Sequence, residues 1–173
     1  MKQIENTTKK PQAPRIKVDG KKIIVGQDDP VNGCQHMMAS LGTDSPEFLE
    51  MVLSQVAATF SHSGKVDQNQ VNATLAVIDG VQPKDELETM LVVQMTAIHT
   101  ATMTLARRLA HVETLDQQNS AERALNKLSR TYAMQMEALK RYRTGGEQKV
   151  VVQHVNVNDG GQAIVGTVDR GRG

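Results

Sequence analysis

Residues 83–143 read PKDELETMLVVQMTAIHTATMTLARRLAHVETLDQQNSAERALNKLSRTYAMQMEALKRYR. In the first half, Leu91, Ile98, Leu105 and Val112 recur every seven residues, with Leu87, Met95 and Leu109 beside them. That repeat lays an apolar stripe along one face of a helix. The helix is expected to start at Pro83-Lys84-Asp85-Glu86 and to run to about Val112, giving a stripe roughly 42 Å long at 1.5 Å per residue. Asp85, Glu86 and Glu88 fall in its first turn, where the helix dipole favours negative charge, so they do not read as paired catalytic carboxylates. Glu113–Asn119 interrupts the pattern. A second helix is expected from Ser120 to about Arg143, with Leu125, Leu128, Tyr132, Met136 and Leu139 spaced 3, 4, 4 and 3. So short a connection makes the two helices antiparallel neighbours, with the first stripe facing Leu125, Leu128, Tyr132 and Met136.

Upstream, Thr43-Asp44-Ser45-Pro46-Glu47 combines a capping side chain, a first-turn proline and an acid near the positive helix end. Phe48, Met51, Val52, Val56 and Phe60 follow at helical spacing until His62–Gly64 ends the run. Asp67 with Gln70 forms a capping-box pattern before Val71, Leu75 and Ile78, and Gly80 is the expected stop. Cys34–Leu41 reads as a short helix closed by Gly42, preceded by a turn-rich linker over Gln27–Gly33. Ile16–Val25 (IKVDGKKIIV) holds two β-branched runs around Asp19-Gly20, the signature of a small β-hairpin. Residues 1–14 are polar and expected to be disordered.

Downstream of Thr144-Gly145-Gly146 the character changes. Lys149–Val157 (KVVVQHVNV), a turn at Asn158–Gly161, and Gln162–Val168 (QAIVGTV) read as a C-terminal β-hairpin. A lone two-stranded hairpin is marginal in water, so it needs a sheet partner. The candidates are the Ile16–Val25 hairpin or the same hairpin of another copy. The expected fold is therefore mainly α: a long antiparallel helical hairpin with short N-terminal helices and a C-terminal β-hairpin. Its segments are 1–33 (basic tail with a small hairpin), 34–82 (short helices), 83–143 (helical hairpin) and 144–173 (β-hairpin and tail).

The 173 residues include two Phe, two Tyr, no Trp and nine Met. A core so poor in rings suits thin helix–helix seams. One cysteine, Cys34, excludes an internal disulfide framework and points to a reducing, cytoplasmic compartment. No apolar run approaches a membrane span, and the polar N-terminus does not read as a secretory signal. The formal net charge of +1 hides a segregation: residues 1–25 carry seven Lys/Arg against two acids, 26–106 two against ten, and 107–173 eleven against seven. Lys9, Lys10, Lys140, Arg141 and Arg143 are the candidate contacts to nucleic acid or to an acidic protein partner. For the last three, complementing the helix dipole is already a sufficient structural reason.

No phosphate loop, nucleophile elbow or HExxH pattern is present. The five histidines show no ligand spacing, and Cys34 and His36 with Asp28 or Asp29 make only a weak metal signal. His99 and His111 read as buried or interfacial. No enzyme activity, cofactor or metal is expected.

Residues 144–166, TGGEQKVVVQHVNVNDGGQAIVG, together with Met136–Arg143 (MEALKRYR), resemble the C-terminal signature of an uncharacterised bacterial and prophage-associated protein family. That likeness implies no activity. Gly160-Gly161-Gln162 resembles, over three residues, the catalytic loop of class I release factors and related peptidyl-tRNA hydrolases, in which the Gln helps place water at an ester carbonyl. The basic and Ser/Gly-rich flanks of that loop are absent here, and two turn glycines explain themselves by positive φ. The order of parts is also similar to phage small terminase subunits, though without a basic N-terminal helix-turn-helix. The expectation is a non-enzymatic, self-associating structural or adaptor protein of bacterial or prophage origin, with Leu91, Ile98, Leu105, Val151, Val155, Val157 and Ile164 at its contacts. The alternative is a small-terminase-like packaging subunit that binds DNA.

Overall fold

The computed structural model describes residues 13–19, 22–25 and 30–145. Its elements run β1 (Ile16–Asp19), β2 (Lys22–Val25), α1 (Pro30–Ser40), α2 (Pro46–Thr59), β3 (Ser61–His62), β4 (Lys65–Val66), α3 (Gln68–Val81), α4 (Glu86–Leu109) and α5 (Leu115–Arg143). The described chain is mainly helical, with β1–β2 and β3–β4 as separate antiparallel pairs. The C-terminal β-hairpin, with Val151, Val155, Val157 and Ile164, lies outside the described residues, as do Lys9 and Lys10.

The N-terminal β-hairpin forms where Asp19-Gly20 placed it. Ile16 pairs with Val25, Val18 with Ile23, and Asp19 with Lys22. Cross-strand partners share a face, so Ile16, Val18, Ile23 and Val25 line one side, and all four pack on the core. The free edge of β1 is covered by α3. Asn72 Oδ1 accepts from the Ile16 N–H at 2.8 Å while Asn72 Nδ2 donates to the Ile16 carbonyl at 3.1 Å. One turn away, Gln68 Oε1 accepts from the Val18 N–H at 2.8 Å. Two side chains of one helix thus stand in for a neighbouring strand.

Side-chain caps start the helices. Ser45 accepts from the Phe48 N–H, Asp67 from Asn69 and Gln70, and Asp85 from Glu88. Several boundaries differ from the sequence reading. α1 begins at Pro30 rather than Cys34, with proline in the first helical position, where its missing N–H costs nothing. α2 ends earlier, at Thr59 with Phe60 as its C-cap, and His62–Gly64 instead belongs to the β3–β4 hairpin, where Ser63 (φ 50°) and Gly64 (φ 76°) turn the chain. α3 passes through Gly80 to Val81, and the left-handed residue is Gln82 (φ 52°). α4 is shorter at both ends than expected, because Pro83–Asp85 forms its entry loop. α5 begins at Leu115, five residues before Ser120; Thr114 caps it by accepting from Gln117 at 3.3 Å. Gln117–Asn119 lacks apolar periodicity because every side chain there is exposed, which a helix tolerates.

The core gathers α1, α2, α3, the first part of α4 and the inner face of the N-terminal hairpin. Met37, Leu41, Val56, Val71, Leu75 and Ile78 are all within 1% of full burial. From α4 only residues up to Met95 join the buried cluster, and from α5 only Leu139.

Candidate self-association surface

α4 and α5 lie antiparallel, since Asp85 and Glu88 at the start of α4 bond to Tyr142 and Arg143 at the end of α5. At this base three segments converge: Leu41–Ser45 after α1, Gln82–Asp85 between α3 and α4, and the α5 terminus. Glu88 is only 1% exposed, yet charged. Its Oε2 accepts from Arg143 Nη2 at 2.7 Å, Arg143 Nε at 3.1 Å and the Lys84 N–H at 3.0 Å. Arg143 Nη2 also donates to the Val81 and Gln82 carbonyls at 3.0 and 3.3 Å, the open C-terminal end of α3. The guanidinium holds the Glu88 carboxyl below its ordinary 4.5 against the opposing effect of burial, and Glu88 raises Arg143 in return.

Neighbouring bonds complete the base. The Tyr142 hydroxyl donates to Asp85 Oδ2 at 2.9 Å, which raises the tyrosine. Asp85 is held low, chiefly by the Glu88 N–H it accepts. Thr43 donates to Glu86 at 2.7 Å and lowers it, and Thr89 donates to the Leu41 carbonyl at 2.6 Å. Gly42 sits at φ 60° with no room for a side chain: a Cβ there would lie 2.5 Å from the Pro83 carbonyl oxygen. An enclosed, multiply bonded carboxylate pinned to a guanidinium is a structural tie.

Away from this base the hairpin becomes an arm, roughly 36 Å of α4 beside roughly 43 Å of α5 at 1.5 Å per residue. Between Ala97 and Thr131, Ala121 is the only described residue that is buried. The seam between the helices is half-buried: Leu91, Ile98 and Leu105 on α4, with Ala124, Leu125, Leu128 and Tyr132 on α5; Val112, the last position of the expected stripe, is also half-buried but lies past the end of α4, in the connection to α5. Leu105 and Val112 line a cleft with Ala121 and Ala124 near the tip. The seam departs from expectation at Met136, which is 48% exposed. Gln135 takes its place and donates to Gln94 at 3.2 Å. Nearby, the His99 and Tyr132 rings lie 6.1 Å apart. Met103 (56% exposed), Leu115 (76%) and Met134 (71%) face outward on the arm.

The sequence-derived candidates divide. Leu91, Ile98 and Leu105 lie together along α4, half-buried. Lys140 and Arg141 are exposed, whereas Arg143 is spent on Glu88. His99 and His111 are exposed rather than buried in the single chain. Among the described residues no cluster of His, Cys, Asp or Glu has the arrangement of a metal site, and no helix is long and apolar enough to cross a membrane. Glu88 was missed as a structural centre; its position three residues after the Asp85 cap was the available signal. Comparisons with family models, with curated proteins and with solved structures found no match to this chain.

Proposed function

We propose that this chain is a non-enzymatic structural or adaptor protein that assembles with copies of itself through the α4–α5 arm. One observation carries the reading: an arm of two long helices with a single buried residue between Ala97 and Thr131, and with Met103, Leu115 and Met134 exposed. Two helices alone leave most of their apolar surface in water, and helices of this kind owe their stability to packing of that surface. Copies packed arm to arm bury it. The base supports this role by tying the foot of the arm to the globular part through Glu88–Arg143.

The test is the solution mass of full-length protein beside that of Met103→Lys and Met134→Lys variants. Both methionines are exposed, so the charges leave the monomer fold intact. The wild type should show a discrete multiple of 18.9 kDa, and at least one variant should fall toward a single copy with unchanged helix content. Variants and wild type of equal mass would show that the arm is not the contact.

A second reading rests on the cations. Arg107, Arg108, Arg123, Lys127, Lys140 and Arg141 are exposed and form no ion pair among the described residues. Such a set suits a polyanion, as in a packaging subunit that holds duplex DNA, or an acidic protein. Duplex binding that weakens steeply with salt supports it, and no binding at low salt ends it.

A further inference from the structure

We propose that a second copy lies antiparallel along α4, with a two-fold axis at Ala97 that sets Glu86 of each chain against Arg108 of the other. The proposal rests on the assembly reading and names its contact face. From Thr89 to Ala106, α4 carries no Lys, Arg, Asp or Glu. One side of this stretch is taken, because His99 and Met136 line the groove that α4 and α5 share with α3. Ala97 and Met134, two residues earlier on each helix and so about 200° round, lie on the opposite side of the arm. There Met90, Ala101 and Thr104 are exposed, Val93 and Ala97 are half-buried, and Thr59 and Phe60 at the end of α2 flank a cleft along Ala97 and Ala101. Thr104 donates to the Thr100 carbonyl at 2.9 Å and Gln94 accepts from Gln135 at 3.2 Å, so the polar groups of this side are bonded within the arm.

Charge selects both the occupant and its direction. Glu86 and Arg108 close the two ends of this side, about 33 Å apart and within about 40° of one line along the helix. Both are exposed; Thr43 holds the Glu86 carboxylate at 2.7 Å, and Arg108 forms no ion pair among the described residues. A parallel copy would set like charge against like at each end, whereas an antiparallel copy brings opposite charges together twice. Ala97 lies midway and meets its own counterpart, which lets the two backbones approach closely. The larger Met90 and Val93 then meet the smaller Thr104 and Ala101 of the other copy. Each end lies about 16 Å from Ala97, where helices crossing at about 20° have diverged by about 6 Å, within reach of Arg and Glu side chains.

Cysteine cross-linking of the full-length chain in a Cys34→Ser background tests the register. Ala97→Cys should oxidise to a covalent dimer, since close-packed opposed Cα atoms fall within the roughly 4.4–6.8 Å that a disulfide spans. Met90→Cys and Thr104→Cys should each stay uncoupled alone and couple when mixed. Arg108→Glu should weaken association by about 10-fold, because it sets two like-charge contacts in place of two ion pairs. Met103 lies one turn after His99, toward α3, so Met134→Lys should dissociate the assembly more than Met103→Lys does. A wild type of multimeric mass whose Ala97→Cys variant forms no covalent dimer overturns this pairing and leaves the assembly reading standing. Self-coupling of Met90→Cys, the mark of a parallel pair, does the same, as does Arg108→Glu that associates as tightly as the wild type. A monomeric wild type removes both.

Discussion

Glu88 shows how a residue's role is set by what folding brings to it. Arg143 lies 55 positions away, and only the antiparallel return of α5 places it there. Removing the guanidinium leaves a buried carboxylate without its counter-charge. Arg143→Ala should therefore cost about 3 kcal/mol, against less than about 0.5 kcal/mol for Lys140→Ala or Arg141→Ala. For a chain of this size the first loss lowers the melting temperature by roughly 6–12 °C, which calorimetry resolves. A pH dependence follows from the same pair. The folded-state pKa of Glu88 lies below its ordinary 4.5, so its contribution is fully present above that value. It disappears as pH falls through the lower, folded value. Melting temperature should hold from pH 7 to about 5 and drop below about 4, less steeply in Glu88→Gln; an equal drop in both would deny the pair its share. Glu47, Asp85 and Glu86 are also held low, so some acid sensitivity persists in the variant. In sequence, Glu88 and Arg143 were each explained by the helix dipole, and nothing local distinguished Arg143 from Lys140 and Arg141.

The elements declare themselves where a single side chain enforces a boundary. The caps before Phe48 and at Asp67 were legible because a short polar side chain before an apolar period has one economical explanation, whereas Asp85, read as a first-turn acid, is the cap itself. The α5 start and the α3 end were not, because polar runs and isolated glycines permit a helix without announcing one. Gly42, just past α1, and Gly80, near the end of α3, separate these cases. Gly42 combines φ 60° with backbone atoms of Pro83 and Asp85 inside 3 Å of any Cβ, so Gly42→Ala should cost about 2 kcal/mol or more. Gly80 sits within α3 with open space around it, so Gly80→Ala should stabilise by about 0.5–1 kcal/mol. Chemical denaturation of the two variants should move in opposite directions. At the N-terminal hairpin, Asn72→Ala leaves the Ile16 backbone without either bond and should cost about 1–3 kcal/mol, with exchange protection lost first at Ile16.

For the whole molecule, the heptad stripe foretold the helical hairpin, but periodicity cannot say how far along its length a stripe is covered. Up to Met95, α4 joins the core through Val92 and Met95; beyond it the stripe faces α5, with Thr59 and Phe60 at the end of α2 lining a cleft beside Ala97–Leu105. That division depends on where α2 and α3 end, which the hairpin sequence does not encode. Acidic residues crowd the globular half and basic residues the arm, so copies can also meet through opposite charge. The central claim is that the arm is an interface between copies, and light scattering of the full-length chain after size exclusion at moderate salt tests it most directly. A discrete multiple of 18.9 kDa is the expected mass, and a clean 18.9 kDa monomer across a wide concentration range would contradict it.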